Sequence, residues 1–197
     1  IVAGVAQMVG KGTGLKDTSR TVAVVELTNE ITDSKEILEE LHHQAESNDV
    51  KAIVLRIDSP GGAVGPSQDI YENVKRLKAK KPIVASMGSV AASGGLYAAL
   101  GASKIFAQSG TLTGSIGVIF QVPNLSKIAE RVGVDVVTVK SGKLKDVGNM
   151  FREMSPEERA FLEETVHKVH EVFTGAVVES RNLSKEKVAE FADGRVI

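Results

Sequence analysis

Along the chain, β-branched apolar runs alternate with amphipathic segments. "TVAVVEL" from Thr21 reads as a buried strand, and "ITDSKEILEELHHQAES" follows it with Ile37, Leu38 and Leu41 on one helical face. Asp33 and Glu36 stand at capping-box spacing before that face. "VKAIVLRID" predicts a second strand, "SPGG" a turn, and "GPSQDIYENVKRLKA" a helix that Pro66 can open. "KPIVASM" predicts a third strand, "SGGLYAALGA" a small-residue helix, "KIFA" a fourth strand and "TGSIGVIF" a fifth. An amphipathic helix around "LSKIAERVG", ended by Gly133, precedes the strand "VDVVTVK". After the loop "SGKLKDVGNMFREM", Ser155, Pro156 and Glu158 supply an N-cap, a first-turn proline and a capping box for a long helix reaching about Ser180. A last short helix starts near Ser184.

This alternation predicts an α/β fold with a mainly parallel sheet and right-handed crossovers. In such sheets reactive groups collect in the loops after the strands. Three loops qualify: "DSPGG" after the second strand, "GSVAASGG" after the third, and "SGKLKDVG" after the strand ending at Lys140.

Composition narrows the chemistry. The 197 residues suffice for one sizeable core. The 24 Lys and Arg nearly balance the 25 Asp and Glu, so no global field recruits nucleic acid, and aromatics at 4% offer little for base stacking. With no Cys, thiolate catalysis and Cys-based zinc sites are excluded. The opening "IVAGVAQMVG" is apolar but shorter than the ~20 residues a membrane helix needs. The Gly-rich "GKGTGLKDTSR" after it reads as a linker, so residues 1–20 form a linker or juxtamembrane segment and 21–197 one globular domain. No GxxxxGK[ST] phosphate loop occurs.

Ser93 sits in "AASGG", where small neighbours permit a tight strand-to-helix turn and the unpaired amides of a helix start can stabilise an oxyanion. The same residues read equally as a capped, tightly packed helix start. "DSPGG" is either an ordinary proline-glycine turn or a place where glycine lets the backbone approach a ligand. A serine nucleophile needs a base. His42, His43, His167 and His170 all fall on predicted helices and none in a strand-end loop, which disfavours a Ser-His-Asp triad. Lys140, Lys143 and Lys145 occupy or border the third loop, where a desolvated lysine could serve or a solvated basic loop could simply lie.

The blocks "IDSPGGAV", "MGSVAASGGLYAA", "TLTGSIGV", "KSGKLKD" and "REMSPEER" occur in the order and approximate spacing of the signal peptide peptidase A family, which the chain resembles from about Thr21 to Ile197. The resemblance implies a ClpP/crotonase-like fold and a serine-lysine peptidase of the short form. By it, Ser93 is similar to the nucleophile, Lys145 to the general base, Ser115 to the serine that orients that lysine, and Gly62 with Gly94 to the oxyanion-hole amides. It also implies cleaved signal peptides as substrates, no metal or organic cofactor, no nucleic acid, and a ring-like homo-oligomer. A membrane anchor absent from this chain and an extracytoplasmic catalytic domain follow by the same likeness. Family members usually continue past "ADGRVI", so a trimmed or partial chain is expected. Two rival functions share parts of this picture: a crotonase-like acyl-CoA hydratase or isomerase, and a catalytically silent membrane-assembly protein. One constraint comes from charge alone. Asp146 adjoins Lys145 and would hold its amine protonated, so the carboxylate should point away while apolar neighbours desolvate the amine.

Overall fold

The computed structural model describes residues 21–197. The N-terminal segment expected as a linker lies outside them. The chain divides into two compact units, one formed by residues 21–117 with Phe173–Ile197, the other by Val118–Val172.

The first unit is a parallel sheet with helices. Its elements are β1 (Thr21–Ile31), α1 (Lys35–Glu46), β2 (Val50–Gly62), α2 (Val64–Leu77), β3 (Ile83–Ala92), α3 (Gly94–Leu100), β4 (Lys104–Phe106) and β5 (Leu112–Gly114). Strand order is β1-β2-β3-β4, with β5 also pairing β3, and every pair is parallel. The alternation of side chains places Val25, Leu55 and Ala85 in one row and Leu27, Ile57 and Met87 in the next, all buried on one face. Helices supply the other half of that core through Leu41, Ile70, Val74 and Leu77. A second cluster stacks Tyr97 between Tyr71 and Phe173, with ring centroids 5.0 and 4.7 Å apart. Burial pushes the Tyr97 phenol up to about 12.

The second unit holds α4 (Ser126–Arg131) and the start of α5 (Pro156–Arg181). The capping box forms as expected: the Glu158 amide donates to Ser155 Oγ at 3.2 Å, and the Ser155 amide to Glu158 Oε2 at 2.9 Å. At α6 (Lys185–Ala189) the Ser184 hydroxyl accepts from the Lys187 amide at 3.2 Å.

Four expectations need correction. Asp33 and Glu36 form no capping box, because Asp33 Oδ1 accepts from the nearer Lys35 amide at 3.0 Å and Ser34 takes the cap position. "SPGG" is no turn, since it continues β2 with Glu30 opposite Gly61 and Ile31 opposite Gly62. "TGSIGVIF" is strand only through Gly114, where a left-handed φ of 81° at Gly114 and 51° at Ser115 breaks the ladder. "VDVVTVK" is not a strand: among the described residues it finds no partner to pair with, and Val137 and Val139 are 87% and 95% exposed.

Candidate active site

The site is built where β2 and β3 end side by side. Their register is regular through Ile57 opposite Met87, then shifts so that Ser59 lies opposite Ala91. Asp58 fills the irregularity, its Oδ1 accepting from the Val90 amide at 3.0 Å, while the missing Cβ of Gly88 makes room for its carboxylate. The buried Ser59 hydroxyl donates to the Asn29 carbonyl at 2.5 Å and accepts from the Gly61 amide at 3.1 Å. Together these contacts fix the backbone of "DSPGG" from within.

At the end of β3 the chain turns sharply into α3 through Ser93. Its backbone has φ 51° and ψ −120°, which a residue with a Cβ adopts at a cost of about 1–3 kcal/mol. Two bonds hold it there: the Ser93 amide donates to the Gly114 carbonyl at 2.9 Å, and the Ser93 carbonyl accepts from the Tyr97 amide at 2.9 Å. Ser93 stands at the N-cap position of α3, but its side chain makes no cap bond.

Glycines close the gap between the two strand ends. Gly61 has φ 97°, and a Cβ there would stand 2.5 Å from the Gly94 nitrogen and 2.8 Å from Ser93 Cβ. A Cβ on Gly94 would overlap the Ser67 hydroxyl, and one on Gly95 would lie 2.7 Å from the Ser59 carbonyl oxygen. Gly62 is pressed against the Ile31 backbone, whose carbonyl accepts from the Ala63 amide at 2.7 Å. The structure therefore brings Ser93, Gly94 and the Gly61–Gly62 segment together. Ser115 joins them through its neighbour, because the Gly114 carbonyl accepts from the Ser93 amide. Ser115 is half-buried and its amide donates to the Arg195 carbonyl at 2.6 Å.

Lys145 lies in the other unit, on a turn closed by its amide donating to the Gly142 carbonyl at 3.1 Å. It is exposed, so the apolar surroundings expected for it are not provided there. Asp146, however, is drawn off. Its carboxylate is bound by Lys140 on one oxygen and by Arg152 Nε at 3.0 Å on the other, and these cations, Arg152 first, hold it well below the usual carboxylate range. Arg152 also grips the buried Glu158, through Nη1 at 2.8 Å and through Nη2, and that grip followed by the Ser155 amide lowers Glu158 to about 2.

Sequence reasoning missed Asp58, Ser59, Ser67, Arg152 and the structural role of Asp146. The signal for Arg152 was present in "REMSPEER", whose arginine precedes the capping box by three residues, but nothing local says that it turns back to the lysine loop.

Comparison with known proteins bears on the fold and the family. A mutant ClpP1 from Listeria monocytogenes superposes with a TM-score of 0.56 at 18% identity, covering 91% of this chain and 81% of that one. The fold class is thus ClpP-like, α/β with a mainly parallel sheet. The Peptidase family S49 model matches residues 75–197, and a Clp protease model matches residues 15–115. The chain belongs to peptidase family S49. A Synechocystis sp. protein named "Putative protease slr0021" is 44% identical over 91% of this chain and 65% of its own length. The Enterococcus faecium "Putative signal peptide peptidase SppA" is 38% identical over 81% of this chain and 46% of its own. For the Arabidopsis thaliana "Serine protease SPPA, chloroplastic" the figures are 37%, 83% and 24%. The chain thus spans less than two thirds of the length of these relatives.

Proposed function

We propose that the chain carries the catalytic centre of a serine endopeptidase that degrades remnant signal peptides with a Ser93–Lys145 dyad. The observation that supports it most is Ser93 itself: a serine held at positive φ on a strand-to-helix turn, with its hydroxyl uncommitted to the helix. A strained turn of this kind lifts a hydroxyl clear of the backbone so that it can attack. The Ser93 oxygen adds to the scissile carbonyl carbon while its proton passes to the Lys145 amine. The amine then protonates the leaving nitrogen as the peptide bond breaks, and later deprotonates the water that hydrolyses the acyl-enzyme. The oxyanion is held by the amides of Gly94 and Gly62. The Gly61 amide is already taken by Ser59, which favours its neighbour for that role. Ser115 orients the lysine. The substrate binds extended, adding as a strand beside the site.

The reading extends to assembly and location. Ile119, Val137 and Val139 are more than 80% exposed, and apolar surface of that kind is covered by partners in stable assemblies. We assign it to contacts within a ring-like homo-oligomer. Among the described residues no helix is long and apolar enough to cross a membrane. Membrane attachment through an anchor outside this chain, with an extracytoplasmic catalytic domain, belongs to the same proposal and is carried by the family resemblance.

A fluorophosphonate probe tests the chemistry. Labelling should map to Ser93 and vanish in Ser93→Ala. Peptidase activity should fall to a similar floor in Ser93→Ala, Lys145→Ala and the double variant, because the two act as a unit. A folded Lys145→Ala chain with full activity would refute the dyad.

A further inference from the structure

The segment from Lys140 to Glu158 carries eight charged side chains, and its pairing is selective. Lys143 binds Glu157, Arg152 binds Glu158, and Lys140 with Arg152 binds Asp146. Glu153 is exposed, and its carboxylate holds no cation among the described residues. Of the segment's four cations, only Lys145 is held by no carboxylate among the described residues. Asp146 is its immediate neighbour in sequence, yet the Asp146 side chain is only 11% exposed and turned to Lys140 and Arg152.

We propose that Arg152, assisted by Lys140, is a positioning residue for the peptidase reaction: it binds the Asp146 carboxylate and thereby denies it to the neighbouring Lys145 amine. This rests on Lys145 being the general base. A free carboxylate beside an amine favours the ammonium form, which has no lone pair to accept the Ser93 proton, so leaving Asp146 unclaimed would silence the base. Arg152 suits the task because its planar fork makes separate bonds to Asp146 and Glu158, and Glu158 is anchored in turn by the capping box of α5. The rigid start of a long helix thus fixes where Asp146 points. The other charged residues of this segment are Lys140, Lys143, Asp146, Arg152, Glu153, Glu157 and Glu158. Loss of Arg152 releases both Asp146 and the buried Glu158, but Glu158 stays tied to the Ser155 amide, whereas Asp146 keeps only Lys140 and adjoins Lys145 in sequence.

The experiment is a rescue, read from the pH profile of kcat/KM on a peptide substrate with the full chain. Arg152→Gln should move the acid limb toward higher pH by about one unit, lowering kcat/KM on that limb about tenfold. Lys140→Gln added to it should move the limb further. Asp146→Asn alone should leave the limb near the wild-type position, and Asp146→Asn combined with Arg152→Gln should bring it back there. If the double variant keeps the shift of Arg152→Gln, or if Glu158→Gln rescues as well as Asp146→Asn does, Arg152 acts only through the helix start and the inference is overturned. Lys145→Ala separates the two levels of failure. Retained activity in that variant removes the base itself, whereas an inactive Lys145→Ala with no rescue removes only the role of Arg152.

Discussion

Gly94→Ala is the sharpest probe of how the Ser93 turn is packed. A methyl group there overlaps the buried Ser67 hydroxyl on α2, with Ser67 Cβ 3.1 Å and Gly61 Cα 3.3 Å away. The backbone around it cannot yield, since Gly61 is locked by Ser59 and Ser93 by Gly114. Forcing an added carbon into such a contact costs about 1–3 kcal/mol. For a chain of this size that lowers the Tm by roughly 2–12 °C, at about 2–4 °C per kcal/mol. The chemistry should suffer with it, because the displaced amide is the proposed oxyanion donor; labelling of Ser93 by a fluorophosphonate should slow by about 10- to 100-fold. The diagnostic step is Ser67→Ala. It removes the overlapping oxygen and forfeits only a bond to the Ala63 carbonyl one helical turn back, at 2.8 Å. Ser67→Ala in the Gly94→Ala background should therefore restore about 1 kcal/mol of stability and part of the labelling rate, a coupling expected between touching residues. Thermal melts and labelling rates of the four chains complete the cycle. If Gly94→Ala melts and labels like wild type, or if Ser67→Ala adds its own loss without relief, the close approach described here is not what limits the turn.

Ser115→Ala should leave the fold and Ser93 labelling site intact but lower kcat by about 10- to 1000-fold, with Ser115→Thr milder, as expected of a group that orients a base; equal kcat for wild type and Ser115→Ala would remove that role. Acid should weaken the second unit through Glu158. Its carboxyl is lowered from 4.5 to about 2 by Arg152, so its contribution is complete above 4.5 and disappears as the pH falls through about 2. Wild type should out-melt Glu158→Gln at pH 7, with the gap closing toward pH 2; a gap independent of pH would show that the ion pair is not its source.

The parallel α/β frame was legible because its signals are periodic: apolar runs mark β1 to β3, and amphipathic faces mark α1 and α2. The serine turn was legible only as a pair of alternatives. "AASGG" is compatible with a helix cap or a strained nucleophile, and the backbone conformation of its serine depends on the Gly114 carbonyl, which comes from a strand twenty-one residues further on. "SPGG" was misread for a related reason. Proline and glycine are turn formers locally, but here they run along the edge strand β1, and pairing with Glu30 and Ile31 overrides the propensity. "VDVVTVK" erred in the opposite sense, since valines favour strands only where a partner ladder exists. Arg152 and Asp146 were beyond reach because an ion pair between residues on a loop depends on how the loop folds back.

The three-residue strand β5 is too short to hold its own place. It is clamped from outside by the end of the described chain: Thr113 and Ile197 exchange both backbone bonds, at 2.9 and 3.0 Å, Ser115 bonds Arg195, and the Gly194 amide reaches Ile116. Since Gly114 on this strand secures the Ser93 amide, the serine turn is anchored by residues made about a hundred positions after it. During synthesis the elements through α3 can emerge and fold while the serine turn still lacks its brace, which arrives only when residue 197 has left the ribosome.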